Sequence, residues 1–298
     1  MNKILIIMAM TAMAEAHSGT RLYPFYQLTD EMLEEIDLHD GSIDEWYEVG
    51  EPSMTLLDFK AWGGDLPHDP SNLDFRVWLA WQDEPDRVYA AFIIADDVFR
   101  NHNYTEGSWP FAYDSIVFQI DADHRGGQGE GQWYSPSREQ LMEVHGDAQR
   151  YSAVARTASG PILDDGTWWE GEGGKSWRVY PPYGDAGGVA AGENPTISVI
   201  ELYVTPFDEW GDNVEETLFS DLSAHQIVGF SVEVIEQEED PSECGCSGFS
   251  WYPAEMEGQV WLDLLDSMAD LYVDGLLLPP QDTAVESMTW GRIKASLK

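Results

Sequence analysis

The chain has 298 residues, 43% of them hydrophobic and 12% aromatic, which is ample for a packed core and excludes a disordered protein. It carries 55 acidic against 15 basic residues, a formal net charge of −40, and such a field excludes partners built on phosphate backbones or anionic membrane surfaces. With only five lysines, the acidic excess suits adaptation to high salt, where screening relieves self-repulsion; attraction of divalent cations is the other reading, and the two are compatible.

In chain order, the first segment, MNKILIIMAMTAMAEA, has one lysine, an apolar run from Ile4 to Met13 and small residues at Ala12, Ala14 and Ala16. It has the outline of a signal peptide over residues 1–16, too short to span a bilayer as a helix, with cleavage after Ala14 or Ala16. Export to the periplasm or the extracellular space is the expectation, and residues 17–298 are expected to form one domain. LTDEMLEEI offers Thr29 as the N-cap of a short helix with acids in its first turn.

DFRVWLAWQD alternates with period two, putting Phe75, Val77, Leu79 and Trp81 on one face and Arg76, Trp78, Ala80 and Gln82 on the other. The turn-like EPD then leads into RVYAAFIIADDVF, completing a predicted hairpin. SIVFQID continues the pattern with Ile116, Phe118 and Ile120 on one face. RYSAVART is a weaker strand candidate, and the Gly-rich span 158–195 reads as a long decorated loop or hairpin. TISVIELYVTPF and QIVGFSVEVIEQ are rich in β-branched and aromatic residues and predict two more strands. WLDLLDSMADLYVDGLLL has a mixed pattern that could hold a helix, and SMTWGRIKASL reads as a short helix or a closing strand. Many short strands between Gly, Pro and Asp loops predict an all-β protein, a two-sheet antiparallel β-sandwich of jelly-roll type with long loops and few helices.

The chemistry centres on QIDADHRGGQGEGQ. Asp121 and Asp123, followed by Gly126, begin like a calcium loop, but Arg125 and Gln132 stand where further oxygen ligands would be needed, and a strand rather than a helix leads in. An EF-hand is rejected. Two readings stay open: a structural turn, in which Arg125 pairs with Asp123, or a strand-end calcium site in which Asp121 and Asp123 combine with Gln128 and with Asp96, Asp97 or Asp114. Asp96 and Asp97 are neighbours on one strand and so point to opposite faces, which suits strand termination, turn chemistry or metal ligation better than acid–base catalysis across a cleft.

His17, His39, His68, His102, His124, His145 and His225 form no close-spaced pair, and no nucleophile elbow, Walker loop or dinucleotide fingerprint occurs. Cys244 and Cys246 are too close in sequence for anything but a strained local bridge and do not form a disulfide framework. Aromatic residues in Gly-rich polar settings are the remaining functional signal: Trp62, Trp109, Trp133 beside Tyr134, and the pair Trp168 and Trp169. A loop tryptophan can stack on the apolar face of a sugar ring while nearby acids and amides bond its hydroxyls, or it can fold back over the edge of the sandwich.

Taken together, DGSIDEW, DFRVWLAWQDEPDRVYAAFIIADDVF, YDSIVFQIDADHRGG and the closing TWGRIKASL resemble the superfamily of family 9 carbohydrate-binding modules and DOMON-like domains. The resemblance runs from about Ile36 to the end, with its core in residues 36–125. It implies a two-sheet sandwich, calcium as a structural ion in some members, a sugar held between aromatic rings in the sugar-binding ones, and haem b in some DOMON-like relatives. The acids at positions 96, 97, 114, 121 and 123 match its acidic pattern; no aromatic residue is assigned by it. The leading expectation is therefore non-catalytic binding of a polysaccharide or oligosaccharide by an exported acidic β-sandwich. The alternatives are a haem-binding redox module with Met54, Met142 or His145 as axial ligands, a glycoside-active enzyme, and a structural surface protein.

Overall fold

The structure is a computed structural model that describes residues 21–61, 67–105, 112–124, 149–156, 162–164, 177–209, 211, 213–238, 249–254 and 273–280. The signal-peptide segment, Trp62, Trp109, Trp133, Trp168, Trp169, Gln128, Met142, His145, Cys244, Cys246 and the closing TWGRIKASL lie outside the described residues. Fifteen strands are described: β1 Leu22–Gln27, β2 Met54–Thr55, β3 Phe59–Ala61, β4 Leu73–Gln82, β5 Arg87–Asp96, β6 Ser115–Asp121, β7 Gln149–Val154, β8 Ile162–Asp164, β9 Gly184–Ala191, β10 Thr196–Val204, β11 Phe207–Glu209, β12 Leu218–Phe219, β13 Ile227–Glu236, β14 Phe249–Pro253 and β15 Val273–Leu277. Two short helices, α1 Asp30–Glu35 and α2 Trp46–Val49, precede β2.

The strands make a two-sheet β-sandwich. One sheet runs β8-β7-β6-β13-β15-β1 and the other runs β1-β4-β5-β10-β9, so β1 belongs to both. Residues 22–25 of β1 pair with β15 and residues 26–27 with β4, in both cases parallel, whereas most other pairings are antiparallel. The inner layer is the alternation made solid. Phe75, Val77, Leu79 and Trp81 of β4 face Ile116, Phe118 and Ile120 of β6 and Val228, Phe230, Val232 and Val234 of β13 in one core. The opposite row of β4 is equally legible: Trp78 and Ala80 turn outward into a second cluster with Leu28, Leu38, Ile43, Trp46 and Val49. The segment from Leu28 to Val49, including both helices, therefore covers the outer face of the β4-β5-β10-β9 sheet. Thr29 caps α1 as predicted, its hydroxyl accepting a 3.3 Å hydrogen bond from the Met32 amide.

The structure sharpens the sequence reading in two places. Residues 184–191, inside the span read as a decorated loop or hairpin, form β9, an eight-residue strand in full register with β10, in keeping with the hairpin alternative. Of WLDLLDSMADLYVDGLLL, read as a possible helix, the described part Val273–Leu277 is strand β15, and Gly275 passes under the Phe25 ring, 2.4 Å from where its Cβ would lie. Small residues explain both cases. They lack the branched surface that marks a strand in sequence, yet they are required where another part of the chain crosses closely.

Candidate functional site

The predicted acidic residues divide between the two ends of β6. Asp114 immediately precedes the strand and Asp121 closes it, and seven residues of extended chain separate them by about 23 Å. Ligands of one calcium ion lie within about 5 Å of one another, so the two groups cannot share an ion.

At the first end, Asp96 ends β5 and is buried, while Asp97 is exposed, as alternation requires. Asp96 accepts a 2.8 Å hydrogen bond from the Val98 amide, a local turn that terminates the strand. Asp114 accepts from the amides of Arg100 (2.6 Å) and Gln237 (2.8 Å), and its main-chain carbonyl accepts from Asn101. Glu236, at the end of β13, accepts from the Asn72 side-chain amide and, at 3.1 Å, from the Trp251 indole. Burial is the main cause that pushes these carboxyls up, Asp96 to about 8 and Asp114 and Glu236 to about 7. The acids add to one another: Asp114, Glu236 and Asp97 raise Asp96, and Glu238 raises both others. The cluster ties the exits of β5 and β13 to the approach to β6, and its donors come from the protein itself.

At the far end, Asp121 is buried opposite Gly229 of β13, Asp123 is half-buried, and the His124 ring lies 3.0 Å from Asp274 of β15. Met54, the described haem-ligand candidate, is fully buried in the inner core, in β2 opposite Val77.

Another group of acids escaped the sequence reading. Among the described residues, Asp40, Glu45 and Glu201 are the three that bring one carboxylate oxygen each to within 4.8 Å of the others. Glu201 sits mid-strand in ISVIELYV, with a relative exposure of 0%. The signal was present as a single acid on the Val199–Tyr203 face of an otherwise uncharged strand. Asp40 and Glu45 are the first and sixth residues of DGSIDEW, quoted above only for its resemblance.

No family model matches this sequence, and no curated protein matches it. Solved structures show a similarity. A family 9 carbohydrate-binding module from Caldicellulosiruptor kristjanssonii in complex with glucose is 13% identical with a TM-score of 0.48, the match covering 88% of this chain and 98% of that one. The same module in complex with cellotriose gives 13% and 0.48 over 89% and 97%. A candidate carbohydrate-binding protein from Bacteroides uniformis gives 8% and 0.42 over 87% and 100%. With TM-scores below 0.5, these likenesses add no argument about the ligand or the site of this chain.

Proposed function

We propose that this chain is a non-catalytic carbohydrate-binding β-sandwich that acts after export, taking a polysaccharide or oligosaccharide against tryptophan side chains of its Gly-rich connections. The observation that carries this reading is how the sequence is divided. The described parts of three motifs of the family resemblance fall on the framework, namely the outer-face cover with α2, then β4, β5 and β6, while the closing TWGRIKASL lies outside the described residues. The tryptophans in polar, Gly-rich settings lie in sequence between the described strands, outside the described residues: Trp62 after β3, Trp109 before β6, Trp133 after it, and Trp168 and Trp169 after β8. Binding residues belong on connections held by a rigid scaffold, and a tryptophan presents the flat apolar surface that a pyranose ring needs. Calcium is part of the proposal as a structural ion at Asp121 and Asp123.

The test is calorimetry of the mature chain with cello-oligosaccharides and a wider glycan panel, in parallel with Trp62→Ala, Trp109→Ala, Trp133→Ala and the double variant Trp168→Ala/Trp169→Ala. At least one of these is expected to lose tenfold or more in affinity, about 1.4 kcal/mol, with an unchanged melting temperature. Absence of binding to any glycan overturns the reading. Release of new reducing ends from a bound glycan would replace it with an enzyme, and a Soret band in the absorbance spectrum would replace it with a haem module.

A further inference from the structure

We infer that Asp40, Glu45 and Glu201 form a binding site for a hard divalent cation of the calcium class, on the outer face of the β4-β5-β10-β9 sheet. The inference is independent of the glycan reading and concerns residues outside the acids discussed at the ends of β6.

The site begins with an opening in the sheet. The neighbours paired with Glu201 are Ala91 on β5 and Gly187 on β9, so both cross-strand positions on its face are nearly bare. The 37–46 segment fills that opening with backbone. The Leu38 carbonyl oxygen lies 1.0 Å from where a Cβ on Gly187 would be, so any side chain at 187 would expel the segment. Gly41, at φ +72°, makes a left-handed turn that few other residues adopt, and a Cβ there would lie 2.7 Å from that of Val189. Outside this contact, the His39 ring lies 3.2 Å from Asp185 of β9. Pressed down in this way, the segment brings Asp40 and Glu45 over Glu201. The three are respectively exposed, half-buried and buried, so the acids descend from solvent to the sheet and leave a route for an ion.

The electrostatics call for a positive charge. The Trp46 indole donates a 2.6 Å hydrogen bond to Oε1 of Glu201, while Oε2 of Glu201 and Oε1 of Glu45 are sealed from solvent with no hydrogen-bond partner. Among the described residues, no lysine, arginine or histidine pairs with any of the three acids. A buried carboxylate oxygen without a partner is costly, and converging acids compound the cost. Burial first, then Glu45, Asp40 and Asp37, push the Glu201 carboxyl up to about 8 without a cation. A cation removes the conflict. Oxygens bound to one calcium ion at about 2.3–2.6 Å lie no more than about 5 Å apart, and an oxygen-only set selects hard ions over zinc or copper. The net charge of −40 also raises the local cation concentration. A bound ion would clamp the 37–46 segment, and with it the outer cover, onto β10.

Calorimetry and thermal melting of the full chain, in chelator and then with calcium chloride at fixed high sodium chloride, test this against Glu201→Gln, Glu45→Gln and Asp123→Asn. Terbium emission sensitised through tryptophan gives an independent readout, since Trp46 bonds Glu201 directly. The wild type is expected to bind calcium and melt higher. Glu201→Gln and Glu45→Gln should lose one binding event, at least a hundredfold in affinity, and most of the sensitised emission, whereas Asp123→Asn keeps that same event and that emission. Glu201→Gln, which keeps the shape of the side chain and cannot ionise, should melt no lower than the wild type in chelator, so loss of binding cannot be put down to misfolding. Equal calcium heats and melting shifts in wild type and Glu201→Gln would overturn the site. A wild type indifferent to calcium, with Glu201→Gln melting higher than it, would also overturn it and would identify a trapped proton instead.

Discussion

The two groups of acids, one at the strand ends and one under the outer cover, each gather three carboxyls and have opposite local chemistry. Asp96, Asp114 and Glu236 receive amides from Val98, Arg100, Gln237 and Asn72 and the indole of Trp251. Glu201 receives one indole and keeps one sealed oxygen without a donor, as does Glu45. Burial raises Glu45 and Glu201 as it raises Asp96, Asp114 and Glu236. What separates them is the supply of N–H groups: a carboxylate whose oxygens meet amides is a structural joint, and one that keeps a sealed oxygen facing other carboxylates calls for a charge from outside.

The most severe way to break the comparison is Trp46→Ala. Trp46 is fully buried and supplies the single donor to Glu201, so its loss should destabilise the chain by about 3–5 kcal/mol in a urea or guanidinium titration and loosen the whole outer cover. Asp114→Ala comes next. It strands the Arg100 and Gln237 amides and should cost roughly 2 kcal/mol, with no calcium dependence, in contrast to Glu201→Gln in chelator.

A pH series sharpens the distinction further. The folded values of Asp96 (about 8) and Glu236 (about 7) lie above their ordinary carboxylate values, so between about pH 4 and 8 the native state binds more protons than the unfolded one. Their contribution to stability is therefore greatest at low pH and is lost as pH rises through that window. Melting temperatures should fall from pH 5 to pH 8, and Asp96→Asn should flatten the fall. The remaining slope would report general self-repulsion of the acidic chain. A slope unchanged in Asp96→Asn would show that this carboxyl does not titrate in the window. The smallest effect is expected for His39→Ala, which removes an exposed contact to Asp185 and should change stability by no more than about 0.5 kcal/mol.

Much of the framework was legible because β4, β5, β6, β10 and β13 alternate over seven to ten residues with one face committed to the core. Even the outer row of β4 could be read, since Trp78 and Ala80 stand opposite an inner row of uniformly large residues. β9 was not singled out within its loop-or-hairpin span because its sequence, GDAGGVAA, was shaped by what lies on it: Gly187 is small for the Leu38 carbonyl, a reason invisible until the 37–46 segment is folded. The acids were legible as acids but not as groups. Pooling Asp114 with Asp121 overlooked the length of the strand between them, and Glu201 was hidden by the apolar run in which it sits. The aromatic residues proposed for sugar contact, Trp62, Trp109, Trp133, Trp168 and Trp169, lie outside the described residues.

The shared strand β1 also determines when the protein can close. Its first half pairs with residues 274–277 and its second with residues 80–81, and the Trp81 indole reaches across to the Leu278 carbonyl at 2.8 Å. The seam between the sheets thus joins nearly the earliest and latest described parts of the chain, a contact of very high sequence separation, which makes folding slow. Until β15 arrives, β1 and β13 each present an unpaired edge, the feature that recruits other chains. A chain truncated before Val273 is accordingly expected to aggregate, and a monodisperse monomer in light scattering would contradict this. For this sandwich the last seam to form is also its guard against self-association.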